Sequence, residues 1–211
     1  MKPLSKTLSA MLATCLLAVC FVSTVAAQGN QPGTQPASEI LRIRKMTDLN
    51  RDYRQRAIQL GNRSGRPRDW GVFDVSFDVG PEWVDEMTII YTVMLQNDKA
   101  KPGEKALSLM TVTAMYSDVE QGRDRKAGVV VSPSALDRYG SPIGFAVQIF
   151  VAGQLAAEQG IGKGLLGNQQ DWWKKPEIID SQLVQKRDGY LVERSKSVFN
   201  LVDLDAYEAG K

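Results

Sequence analysis

Between residues 70 and 96 the chain alternates strictly. Phe73, Val75, Phe77 and Val79 fall on one side, and Asp74, Ser76 and Asp78 on the other. After Gly80-Pro81-Glu82-Trp83 the alternation resumes, with Met87, Ile89, Tyr91, Val93 and Leu95 set against Thr88, Ile90, Thr92 and Met94. Two adjacent period-2 runs rich in β-branched and aromatic residues predict a pair of half-buried antiparallel strands.

The same reading extends along the chain. Residues 106–116 predict a third strand, 117–126 a charged loop and 128–131 a short fourth strand, and 132–142 carry turn chemistry at both ends. Ile143, Phe145, Val147, Ile149 and Val151 alternate with Gly144, Ala146, Gln148 and Phe150, and a turn at 152–154 leads into 155–158, a hairpin signature. Residues 160–167 are too glycine-rich to predict a regular element. The tail offers strands at 183–184, 190–192 and 198–201, with a turn at 186–189. Residues 38–60 read two ways. One is a strand at 40–44 followed by an irregular piece; the other is a short N-terminal helix behind Ser38, with Ile40, Ile43, Met46, Leu49, Tyr53, Ala57 and Leu60 at near-helical spacing. About seven or more short strands without intervening helices predict an all-β, immunoglobulin-like antiparallel β-sandwich, with an up-and-down barrel as the alternative architecture.

The N-terminus reads as a targeting segment. Lys2 and Lys6 precede an apolar run over 8–22, and Val25-Ala26-Ala27 offers a cleavage site before Gln28. The rival is an uncleaved membrane anchor; Val19 before Cys20 fits a lipoprotein site poorly. The predicted organisation is a signal peptide at 1–27, a flexible linker at 28–37, a basic lead segment at 38–69 and the β-sandwich at 70–205. Cleavage removes Cys15 and Cys20, the only cysteines, and two lysines, taking the formal net charge from +2 to near zero. An exported chain without disulfides must be held by its core alone.

Candidate chemistry is sparse. The sequence has no histidine, which excludes a Ser-His-Asp triad and the commonest zinc ligand. Asp74 and Asp78 would lie about 13 Å apart on one strand face at about 3.3 Å per residue, beyond the roughly 5 to 9.5 Å of glycosidase carboxylates. Glu82, Asp85 and Glu86 could offer oxygens to calcium, against a solvated polar loop as the plainer expectation. Gly160 to Gly164 lacks the spacing of a phosphate loop. No catalytic residue, cofactor or metal is expected.

Two features suit binding. Adjacent indoles on a strand face opposite ways, so Trp172-Trp173 offers one ring to the core and one to a sugar or a partner's apolar patch. The competing expectation is that both cover a sheet edge or the sandwich end. In the lead segment Arg42, Arg44, Lys45, Arg51, Arg54, Arg56, Arg63, Arg66 and Arg68 outweigh Glu39, Asp48, Asp52 and Asp69. That excess suits an anionic glycan or lipid headgroup, or is simply a solvated face. Without aromatic interleaving, and with an export signal, no nucleic-acid partner is expected. Trp172, Trp173, Arg63, Arg66 and Arg68 are the candidate partner or glycan contacts.

The segments WGVFDVSFDVGPEWVDEMTIIYTVML, VVVSPSALDRYGSP, FAVQIFVAGQLAAEQ and DWW together resemble a family of exported immunoglobulin-like β-sandwich proteins associated with type IV pilus gene clusters of mucin-dwelling gut bacteria. The resemblance covers about residues 70–203. It implies a setting in pilus or envelope assembly and carries no catalytic residue. Pilin subunits themselves resemble one another in a glycine before the apolar segment and a glutamate shortly after it. Residues 2–7 hold no glycine and no glutamate follows in the apolar run, which points to an accessory component. The expected function is therefore non-enzymatic: binding to envelope or pilus-assembly proteins in the periplasm, on the surface or outside the cell. The alternative is a glycan-binding adhesion module for mucin or a host surface.

Overall fold

The two period-2 runs form one strand. In a computed structural model of the protein, which describes residues 41–56, 68–167, 169 and 171–201, β3 runs unbroken over Asp69–Gln96. It pairs antiparallel with β4, Leu107–Val131, from Gly71↔Val131 through to Gln96↔Leu107. A straight strand of that length would extend about 90 Å at about 3.3 Å per residue. Yet Asp69 and Gln96, at its two ends, line the same cavity. The β3–β4 hairpin is therefore doubled over on itself.

The bend lies where the ladder register shifts, between Phe77 and Trp83. Gly80 and Pro81, whose composition predicts a connection between two strands, sit here. They interrupt the pairing without reversing the chain, because β4 follows β3 round the bend. β4 accommodates it with an extra residue between Gly122 and Arg125, where Asp124 has a φ of 56°, and Asp118 turns to a φ of 55° with the register kept on either side of it. The residues expected to form a charged loop at 117–126 are thus the bent middle of β4. Asp124 donates its backbone N–H to Asp78 Oδ1 at 3.0 Å, and Ser76 Oγ donates to Asp124 Oδ1 at 2.6 Å, which fastens the two strands at the bend.

Folding one sheet in half makes the two layers. β1 (Leu41–Met46) and β2 (Arg54–Arg56) pair with the first half of β3, and β8 (Leu191–Glu193) with the end of β4. β5 (Ser141–Val151) and β6 (Gln154–Gly162) extend from the second half of β3, and β7 (Val184–Arg187) lies on the start of β4. The fold is all-β and mostly antiparallel; β7, parallel to β4, is an exception. One eight-stranded sheet results, nearly closed, since Lys163 at the end of β6 donates from Nζ to Leu49 O at 2.7 Å just after β1. The inward sets Phe73, Val75, Phe77 and Ile89, Tyr91, Val93 share one core, and Phe73 meets Phe145 of the opposite layer at a ring distance of 5.4 Å.

Other expectations shift locally. The lead segment is strand rather than helix over 41–46, and the described residues to 56 hold no helix; 38–40 and 57–60 lie outside the described residues. Residues 132–142 form a helix, α1 (Pro133–Tyr139). Ser132 caps it by accepting from the Ala135 N–H at 3.3 Å, and Pro133 sits in its first turn. α1 carries the chain from Val131 in one layer to Ser141 in the other. The glycines at 160 and 162 belong to β6, β7 takes in Lys186 and Arg187, and Val198–Leu201 is a 3₁₀ turn, not a strand. The hairpin at 152–154 is present, with Ala152 and Gly153 both at positive φ.

Candidate functional site

The tryptophan pair is part of the fold. The chain at Trp172–Lys174 forms a 3₁₀ turn, where three residues complete a turn and successive side chains diverge by a third of a circle instead of half. Both indoles therefore reach the outer face of the β5–β6 layer. Trp172 is fully buried and Trp173 only 8% exposed. Trp172 donates from Nε1 to Ile161 O at 3.1 Å, and the two rings meet edge to face at 6.1 Å. Glycines make room for them: a Cβ on Gly144 would stand 2.6 Å from Trp172 Cζ2, and one on Gly160 would overlap the Trp173 ring. The expectation of a solvent-facing indole for a sugar or partner is corrected by this packing, and the competing expectation, that the pair covers the sheet, is what the structure has.

The basic lead segment is distributed. Arg42, Arg44 and Lys45 are exposed along β1. Arg44 donates from Nε to Asp78 Oδ2 at 2.6 Å, and that hydrogen bond, with the Asp124 backbone N–H, holds the Asp78 carboxyl below its ordinary range. Arg63 and Arg66 lie outside the described residues. Arg68 is described, and it lines a candidate site.

That site is an open cleft of about 550 Å³ at the end of the sandwich where β3 begins and ends. Arg68 and Asp137 of α1 form an ion pair across it. Arg54 donates from Nε to Tyr53 Oη at 2.7 Å, a bond that raises its pKa further and keeps the guanidinium charged over the Tyr53 ring. On the far wall Gln96 donates from Nε2 to Asp98 Oδ1 at 2.9 Å, and Asn97 donates to Arg138 O at 3.3 Å. The cleft thus presents fixed groups of both signs beside amide and hydroxyl donors, an arrangement suited to holding a polar partner chain in one orientation. Of the predicted contacts only Arg68 lies here. Asp69, Gln96, Asp98 and Asp137 were missed, since they come together only when β3 doubles back.

The carboxylates considered for chemistry are dispersed. Asp74 pairs with Arg194 and Asp78 with Arg44, while Glu82, Asp85 and Glu86 face solvent on the bend. Among the described residues no three carboxylates gather as a cation site. A smaller cavity of about 370 Å³ opens beside Thr47, Asp74, Lys126 and Arg194.

A family model matches residues 54–211, well over half of the chain. A crystal structure of a protein from Akkermansia muciniphila superposes with a TM-score of 0.60, covering 81% of this chain and 90% of that one at 16% identity; at that identity the likeness is one of fold. No curated protein matches the chain.

Proposed function

The chain belongs to the family whose model spans residues 54–211, and on that premise we propose that it acts by binding, as an exported accessory component of a type IV pilus-like or envelope assembly. The observation that carries this reading is the cleft at the sandwich end, where Arg68 and Asp137, Arg54 and Tyr53, and Gln96 and Asp98 are held in pairs by one another. Groups engaged in this way offer directional contacts to a partner without a poised nucleophile or base. The setting follows the sequence resemblance and the apolar leader over 8–22. The Trp172-Trp173 platform on which the glycan alternative rested is buried, so the protein-partner reading is preferred.

Affinity co-purification of the tagged protein from its native envelope tests it. Stoichiometric recovery of pilus or secretin components, lost in Arg68→Glu while the far-UV spectrum is kept, is the expected result. Recovery of the protein alone would overturn the reading.

A further inference from the structure

The sheet leaves one long edge without a defence. β7 pairs with β4 only over Leu107–Met110, and β8 only over Val129–Val131. Between them the outer side of β4 meets no strand among the described residues. From Asp118, whose φ is positive, that edge is charged, and it carries a bulge near Asp124, but Thr111-Val112-Thr113-Ala114-Met115-Tyr116 holds no charge, glycine or proline, and its ladder to β3 runs without a register shift. The backbone direction is fixed by its neighbours. Ala106 O accepts from the Asn97 N–H on the β3 side, and the Leu107 N–H donates to Leu183 O on the other. By the alternation of a strand, Thr111, Thr113 and Met115 turn their N–H and C=O groups to the open side.

β1, β6, β7 and β8, which border the sheet elsewhere, carry devices against strand addition. β1 has a bulge and Arg42, Arg44 and Lys45. β6 has a register shift against it, two glycines and Glu158 paired with Lys174. β7 ends in Lys186 and Arg187, and β8 is three residues long.

We propose that this edge pairs antiparallel with the same segment of a second copy, about a two-fold axis beside Ala114. The register commits itself. With Ala114 facing Ala114 of the second copy, Thr113 faces Met115 and Thr111 faces Ser117, each facing pair exchanging two main-chain hydrogen bonds. The smallest side chain of the segment then sits at the closely spaced position on the axis. Thr113 and Met115, both exposed and the latter 73% so, cover each other on the outer face. The next residue, Asp118, comes level with Met110, where its positive φ of 55° breaks the extended backbone of the second copy before β7. That places the Asp118 carboxylate beside Arg187, which pairs with Met110 and whose buried Nε makes no hydrogen bond. The interface is isologous and closes on itself, so it caps the edge instead of propagating a fibre.

Light scattering and sedimentation equilibrium of the purified protein test this. A concentration-dependent dimer is expected for the wild type, lost in Thr113→Lys, which places a charge on the edge at an exposed position. Asp118→Arg weakens the dimer, and Asp118→Arg with Arg187→Asp restores it. Ala114→Cys, in a background with Cys15→Ser and Cys20→Ser, gives a covalent dimer under mild oxidation. A wild type that stays monomeric, or a dimer indifferent to Thr113→Lys, would overturn the proposal. So would a monomer whose capture of an envelope protein is lost in Thr113→Lys, which assigns the edge to a partner's strand and leaves the assembly reading standing.

Discussion

Arg194 donates from Nη1 to Oδ2 of Asp74 at 2.6 Å, joining the tail of the chain to the first half of β3 across an interval of 120 residues. The Arg194 side chain is 7% exposed, and Gly128, opposite Asp74 in the ladder, leaves the space that the carboxylate occupies. Removing Asp74 takes a charged partner from a buried guanidinium, and the loss exceeds the net worth of the pair. Asp74→Ala is expected to cost about 3 kcal/mol in urea unfolding. The double variant with Arg194→Met should cost less than the sum of the single changes. Additive losses would show that the pair is not coupled.

Gly160 and Trp173 are matched in the same sense. The indole lies flat against the strand where a side chain would stand, and Trp173 is held from behind by the segment that returns to β7. Gly160→Ala is expected to destabilise by about 1–3 kcal/mol, as overpacking of a fixed core does, with a change in tryptophan emission.

The strands were legible where one face is wet and one is dry. Phe73 to Val79 and Met87 to Leu95 signal themselves because each residue's neighbour in sequence faces the other way. What lay beyond the sequence is what the strands do together. Gly80-Pro81 has the composition of a turn, and only the companion strand decides that it bends instead. The cleft joins residues near positions 54, 68, 97 and 137, so no local pattern marks it. Trp172-Trp173 was conspicuous in composition, but its burial depends on a 3₁₀ turn that the dipeptide does not specify. The run 106–116 was plainly a strand; that half of it is an edge depends on where β7 stops.

Ala152 sits at φ 48° as the first central residue of the two-residue hairpin between β5 and β6. The left-handed region costs an L-residue with a Cβ about 1 kcal/mol, and type I′ hairpins favour Asn or Gly there. Ala152→Asn is expected to raise stability by about 0.5–1 kcal/mol, seen as a higher urea midpoint with an unchanged slope. An unchanged or lower midpoint would remove the strain assignment.

Asp78 gives the molecule an acid-sensitive clasp at the bend. Its carboxyl is held below the ordinary aspartate range, first by the hydrogen bond from Arg44 and then by the Asp124 N–H. A depressed folded-state pKa contributes stability that is present above the unfolded value, about 3.9, and is lost as the pH falls through the folded value. Asp78→Asn should therefore be less stable than wild type at neutral pH, with the two curves converging below about pH 3.8. Thermal melts across that range check it; a constant gap would mean that the difference is not one of charge.

At the other end of the scale stands Tyr116, the last residue of the uncharged edge, whose hydroxyl is pushed up to about 12 chiefly by burial, with Glu193 adding to the rise and Tyr91 opposing it. The unfolded phenol ionises near pH 10. Between about pH 10 and 12 the unfolded chain therefore binds fewer protons than the folded one, and stability falls as the pH rises. The contribution is intact below pH 10 and amounts to about 2–3 kcal/mol across the window, two units at about 1.4 kcal/mol each. Tyr116→Phe should remove that part of the alkaline slope while the other tyrosines titrate as before. Urea unfolding at a series of alkaline pH values measures it. An equal slope in both proteins would place the Tyr116 hydroxyl in contact with water and not in the core.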